Sequence, residues 1–425
     1  MLLTVALRYS GIVLQFVILL VLARRLDADD YGRYMLVLSA VLPTYFLLGF
    51  GISEAFVREA PKLVRHGDIR PAGPLAGATV LAAVAGAGIV AVLGFALARL
   101  WPGDVDVTVI AFMTSFFVAN GLMFNAAQML LGCGFQNLGA FFFYPAVNLS
   151  LALSAVPYVV VATHPTFGGV ALATSAASLA VAALAVGVVL RRVKPNRPDL
   201  GLIRRMTRIG IRLSAARALY GLGLWLPTFI AGVVVSPVEA GYLGTAGRLA
   251  VAVGAVTAAV RFAVRPTIVR AAEQQDRDGI KSICGRLATV TLGIAGVALV
   301  ISAVFGRPLI ELAFGPDFAA AAPLLTILLI AVAIEAFAGP VDEVLKMTGH
   351  ENWVLTIFGV VLPVMLVALL VAARHGVIAM AWVQVGYTLA IFGAMVAVVR
   401  WKWGMWLHPT TTGSPRRRAL AGQIS

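Results

Sequence analysis

Charge is what this chain has little of. Asp, Glu, Lys and Arg together make 12% of it, where a soluble domain carries about 25%. Too little polar surface is available to cover a water-soluble fold, so soluble, disordered, collagen-like and disulfide-rich classes are excluded. Cysteine is nearly missing. Cys133 and Cys284 stand far apart with no CxxC spacing, so neither a disulfide framework nor a zinc site is expected. Acidic residues are scarcer than basic ones, 19 against 33, for a net charge of +14. In a soluble chain that excess would suggest nucleic acid. Here it reads as basic residues retained in cytoplasmic loops, with no nucleic-acid partner. The GxxxxGK[ST] phosphate loop, HExxH and GxSxG are all missing, so ATP hydrolysis and those hydrolase chemistries are not expected. No cofactor is called for.

What the chain does have is apolar length. Hydrophobic residues make 60% of it and the mean hydropathy is +0.95. A membrane helix needs about 20 apolar residues. Twelve such segments can be placed, at 9–28, 34–56, 75–98, 107–130, 139–161, 168–190, 213–235, 240–262, 286–305, 321–341, 353–373 and 377–399. The runs are continuous and do not alternate with period two, which excludes a β-barrel. The first run has no small-residue cleavage site after it and reads as a retained helix. The expected fold is an all-α polytopic membrane protein.

Basic residues orient it. With the N-terminus in the cytoplasm, the outer loops hold only Arg24, Arg25, Arg33, Arg99, Arg307 and Arg374. Most other Lys and Arg fall inside, so both termini are expected in the cytoplasm. The basic stretch 191–212 divides the chain. The expected organisation is a six-helix bundle at 1–190, a cytoplasmic linker at 191–212, a second six-helix bundle at 213–400, and a basic, disordered tail at 401–425. The tail would lie against anionic membrane lipids or serve only as a topology signal. The halves read as weak repeats. Arg8 falls on Arg217, and Asp30-Tyr31-Gly32 falls on Glu239-Ala240-Gly241. Gly134-Phe135-Gln136-Asn137 falls on Gly349-His350-Glu351-Asn352. Six helices per half is even, so the bundles would be related by a pseudo-two-fold axis along the membrane normal.

Several short motifs stand at matching helix ends. Helix 1 closes in Ala23-Arg24-Arg25-Leu26, followed by Asp30-Tyr31-Gly32-Arg33-Tyr34. Helix 2 closes in Gly49-Phe50-Gly51-Ile52, then Val57-Arg58-Glu59. The second half carries Glu239-Ala240-Gly241-Tyr242, Phe314-Gly315-Pro316-Asp317-Phe318 before three alanines, and Gly349-His350-Glu351. Their order and spacing resemble the bacterial polysaccharide flippases, oligosaccharide-lipid translocases of the MOP exporter superfamily. The resemblance covers roughly residues 1–400. It implies paired six-helix bundles, alternating access through a central cavity, and a polyprenyl-diphosphate-linked oligosaccharide as substrate for cell-surface polysaccharide. A polysaccharide polymerase is a further candidate partner. Transport would draw on a proton or sodium gradient.

A flippase forms no covalent bond. It lowers the cost of moving a diphosphate and sugars through an apolar layer. A charge at the membrane centre costs at least about 2.5–3.5 kcal/mol, and a fixed cation offsets much of that for an anionic head group. Arginine suits the task because it stays protonated and binds phosphate oxygens bidentately. Arg248 lies deep in the eighth segment and is the leading cavity cation; the other reading is a structural arginine paired within the protein. Arg217 and Arg8, near inner helix ends, would catch the head group or snorkel to the interface. Arg24 and Arg25 would line an outer gate, or pair with Asp27, Asp29 and Asp30. Glu335 would couple ion movement, since a carboxylate in an apolar site can bind a proton reversibly, or it pairs with an intramembrane arginine such as Arg217. Glu54 is expected at the interface with Arg58 at i+4. Asn120, Gln128, Asn148 and Gln384, with Tyr387, would bond sugar hydroxyls or neighbouring helices.

Other classes fit less well. A drug or cation antiporter of the same superfamily would want an acidic cavity, against which the intramembrane arginines stand. A membrane glycosyltransferase or polymerase would want a large outer loop. A major-facilitator transporter would carry a GxxxDxxGR turn after helix 2, and 57–73 has none.

Overall fold

A computed structural model gives the protein's structure, described for residues 2–64, 68–100, 107–143, 145–263, 274, 276–348, 350–406 and 409. All the long elements are helices, and no β-strand occurs among the described residues. The chain forms two compact units, residues 1–232 and 233–425.

The first unit holds α1 (Leu2–Arg25), α2 (Ala28–Val41), α3 (Ile52–Leu63), α4 (Gly73–Leu100), α5 (Val107–Gly132), α6 (Gln136–Phe143), α7 (Pro145–Val161), α8 (Phe167–Arg192) and α9 (Leu200–Ile230). α5 is its centre and packs against α2, α3, α4, α6 and α8. Much of the buried seam is small: Ala55, Ala60, Ala76, Ala78, Ala119, Ala126, Ala127, Ala182 and Ala185. In lipid, small residues let helix backbones approach closely and replace the hydrophobic drive that water would supply.

The second unit holds α10 (Pro237–Ala263), α11 (Arg277–Phe314), α12 (Ala321–Ala338), α13 (Val341–Met347), α14 (Glu351–Ala372) and α15 (Val377–Trp403). α12 is central, against α10, α11 and α15. Nine helices among the described residues are long and apolar enough to cross a membrane, or ten if bent α6–α7 is one span. The expected segments at 9–28 and 240–262 fall on α1 and α10, which are not among those nine.

Three features depart from the sequence reading. The segment 34–56 is not one helix. α2 stops at Val41, and its cap residue Leu42 keeps helical geometry; Pro43 follows with no N–H to carry the ladder on. A 3₁₀ turn follows at Tyr45–Gly49, and the chain then passes through two left-handed residues, Phe50 (φ 50°) and Gly51 (φ 77°), before α3. α6 and α7 meet at a 48° bend ahead of Pro145, which has no N–H to continue the ladder. Finally, residues 200–212 are helical rather than linker. Leu202, Ile203, Met206 and Ile209 pack on the core of the first unit, and this apolar face carries α9 into that unit rather than the second. The unit boundary therefore lies at Gly232, beyond the expected 191–212. The tail from 410 onward, Gly349 of the repeat match, and the side chain of Arg8 lie outside the described residues.

Candidate functional site

The site grows from one face of α9. Met206, Gly210, Ser214, Arg217 and Gly221 recur at steps of four, four, three and four, which is one face of a 3.6-residue helix. That face lies along the broken second segment. A side chain added at Gly210 would overlap the Gly51 carbonyl, and one added at Gly221 would press on Pro43. Two glycines thus bring the α9 backbone against the backbone of the break. Gly51 is needed twice over, for this approach and for its positive φ.

Arg217 and Glu54 meet just beyond that contact. Arg217 Nη2 lies 3.2 Å from Glu54 Oε1, with side chains 40% and 13% exposed. The Arg217 Cζ sits over three phenylalanine rings: Phe124 at 5.2 Å, Phe46 at 5.5 Å and Phe143 at 6.0 Å. These rings also touch each other. Phe124 is 5.6 Å from Phe143 and 6.1 Å from Phe46, and Tyr45 closes edge-on against Phe124 at 5.7 Å. Each ring under a guanidinium contributes about 0.5–1 kcal/mol when exposed and more when desolvated. The three rings therefore hold the cation in place while part of its side chain stays open. The elements that supply it are the 3₁₀ turn, α3, α5, α6 and α9.

Polar side chains line the break. Asn125 packs on Gly49 and donates to the Gly121 carbonyl at 2.7 Å, while its Oδ1 is buried with no hydrogen-bond partner among the described residues. Ser53 Oγ and Ser214 Oγ are buried in the same way. Such atoms cost about 1–3 kcal/mol each when left unsatisfied, so their clustering around one backbone break marks a polar spot in an apolar bundle.

One sequence expectation is corrected here. Glu54 pairs with Arg217, not with Arg58, which lies 3.8 Å from Glu59. Sequence spacing favours i+4 partners, but the α3–α9 contact brings a distant residue to Glu54.

The cluster between α1 and α2 is occupied largely by helix capping. Arg25 Nε donates to the Val159 carbonyl at 2.8 Å, and Nη2 to Val160 and Ala162 at 3.3 and 3.1 Å. The last carbonyls of α7 have no helical partner, and Arg25 supplies one. Asp27 caps α2 through the Asp30 N–H, Asp30 accepts from the Phe167 N–H at 2.7 Å, and Asp29 pairs with Arg33 at 2.8 Å. Arg24 is exposed at the end of α1.

The remaining candidates are dispersed. Arg248 is half-buried on α10, its Nε and Nη2 shielded from solvent. Glu335 is half-buried on α12, which packs against α10. Asn120 donates to the Phe116 carbonyl of its own helix, and Asn148 to the Gly11 carbonyl of α1. Gln128 and Gln384 are buried on α5 and α15. Of the named cations, Arg217 joins a cluster with aromatic walls. Glu54's role, Asn125 and the rings were missed, although the Gly210-x-x-x-Ser214 spacing signalled a close helix contact.

The apolar spans define a multi-pass membrane protein, and its fold is shared with solved membrane proteins. Over 100% of the chain and 99% of the other, it is similar to an inward-facing multidrug resistance MATE family transporter, with TM-score 0.68 at 12% identity. Lipid II flippase MurJ in an inward closed conformation gives TM-score 0.67 at 10% identity, covering 94% of this chain and 88% of that one. A MATE transporter in complex with MaL6 gives 0.58 at 13%, covering 100% and 96%. No curated protein matches by sequence. Residues 21–323 match the family described as polysaccharide biosynthesis protein, and the chain belongs to that family.

Proposed function

We propose that the protein translocates a polyprenyl-diphosphate-linked oligosaccharide from the cytoplasmic to the outer leaflet of the bacterial inner membrane, for cell-surface polysaccharide. The observation that carries this reading is a caged arginine, Arg217, inside a membrane protein of the polysaccharide biosynthesis family. A guanidinium fixed on aromatic walls offsets the cost of drawing a diphosphate into an apolar layer. Arg217 supplies that charge in the first unit and Arg248 in the second. Transport proceeds by alternating access, driven by a proton or sodium gradient with Glu335 as the coupling carboxylate. Both termini face the cytoplasm, and a polysaccharide polymerase takes the product on the outer side.

The test is leaflet-resolved analysis of diphosphate-linked glycans in cells lacking the gene. The complete oligosaccharide lipid should accumulate on the inner leaflet, which would also identify the glycan. An unchanged distribution refutes the reading.

One observation favours a second reading, export of organic cations. A carboxylate beside Phe46, Phe124 and Phe143 is also what an aromatic cation site requires, with Arg217 standing where a cation would bind. Under that reading cells lacking the gene become sensitive to lipophilic cations while their glycan lipids stay unchanged.

A further inference from the structure

We infer that Arg217 is a phosphate seat held shut by Glu54, and that the diphosphate of the substrate displaces this carboxylate. The inference rests on the flippase reading and adds an internal competitor to it. The pair is close enough to neutralise both charges but poorly aligned. At 3.2 Å it is longer than the roughly 2.7–2.9 Å of an aligned charge-assisted bond, and Glu54 Oε1 makes no hydrogen bond. A phosphate offering two oxygens to the same fork makes the stronger contact. Access favours the exchange too. The Arg217 side chain is 40% exposed and Glu54 only 13%, so a ligand reaches the cation from its open side while the carboxylate sits behind it.

The cage fixes the guanidinium without using an oxygen ligand. Its carbon rests over Phe46, Phe124 and Phe143, so the cation remains in place when its carboxylate leaves. Glu54 has a means of leaving. It lies in the first turn of α3, directly after the two left-handed residues Phe50 and Gly51. A small rotation at that break withdraws the carboxylate without unwinding a helix. An empty seat is then neutral, which avoids a bare buried charge, and a loaded seat exchanges one anion for another.

The experiment uses the full chain in phosphatidylcholine nanodiscs and titrates farnesyl diphosphate by calorimetry at fixed salt. Glu54→Gln should bind about fivefold tighter than wild type, the competition expected of a half-exposed ion pair. Glu54→Asp, with a shorter reach, should fall between them and covers the case in which the glutamine variant fails to fold. Arg217→Ala should weaken binding at least about tenfold, Arg217→Lys less so, since lysine keeps the charge but not the fork. A Glu54→Gln, Arg217→Ala double variant should bind like Arg217→Ala alone. A gain of affinity is not something structural damage produces. Equal or weaker binding by both Glu54 variants overturns the competition, and unchanged binding by Arg217→Ala overturns the seat; diphosphate binding by wild type leaves the flippase reading standing in either case. If wild type ignores farnesyl diphosphate but binds tetraphenylphosphonium, and Glu54→Gln loses it, the flippase reading itself fails.

Discussion

Gly210→Ala tests whether the α9–break contact holds the site together. Two effects of opposite sign compete. In a helix interior, alanine is favoured over glycine by about 1 kcal/mol. Against this, the new methyl would overlap the Gly51 carbonyl and crowd the Ile52 nitrogen. Both are backbone atoms and cannot rotate aside, so α9 must move away. Overpacking of this kind costs about 1–3 kcal/mol. With fixed backbone in the way the cost falls in the upper part of that range, about 2–3 kcal/mol, so the expected net result is a loss of about 1–2 kcal/mol, or a few degrees in Tm at about 2–4 °C per kcal/mol for a unit of this size. The displacement also reaches the ion pair, since Arg217 lies two turns along the same face. The Arg217–Glu54 separation of 3.2 Å should open past ion-pair contact, and phosphate affinity should change with it. Gly88→Ala in α4 is the control, because nothing lies within 4 Å of a side chain there. Thermal unfolding of the purified protein in one detergent, with and without farnesyl diphosphate, reads both quantities. If Gly210→Ala is as stable as wild type, or Gly88→Ala loses as much, the close approach is not what holds α9 in the first unit.

Three further outcomes follow from individual side chains. Arg25→Ala strips the carbonyls of Val159, Val160 and Ala162 of their donor and should cost about 1–2 kcal/mol in unfolding measurements, with little change in diphosphate affinity; a loss of affinity without a loss of stability would return Arg25 to a substrate role. Arg248→Ala should impair glycan-lipid translocation by tenfold or more at unchanged membrane levels, and normal transport would discard its part in the cavity. Glu335→Gln should flatten the dependence of transport on the proton or sodium gradient; an unchanged response would leave Glu335 structural.

The helical class was legible because lipid imposes one rule, that each segment satisfies its own backbone. Apolar length then marks the spans. The interruption at Phe50–Gly51 was not legible from length, since Pro43, Gly49 and Gly51 all sit within an apolar run that a hydropathy window passes over. The membership of α9 was hidden for a related reason. Its first part, 200–212, is rich in arginine and reads as a loop, yet Leu202, Ile203, Met206 and Ile209 form a buried face at helical spacing. Average composition concealed what periodicity carried.

The site was half legible, and the missing half is instructive. Arg217 stood out because a charge in an apolar segment needs a reason. Glu54 did not, because it had a plausible neighbour in Arg58, four residues on. What decides between the two partners is surroundings rather than proximity in sequence. Arg58 ends on an exposed side, 63% accessible, where a carboxylate gains little from pairing. Arg217 approaches Glu54 beside three rings and a close-packed pair of glycines, where an unpaired charge of either sign would be costly. The glycine-to-glycine contact therefore does more than join two helices. It brings a cation and an anion into a site that tolerates neither alone, so whatever removes one must replace it with a group of like charge. A diphosphate head group meets that condition at Arg217. An uncharged lipid-linked sugar does not, and it should bind wild type no better than Arg217→Ala, which a titration with a dephosphorylated prenyl glycoside would read directly.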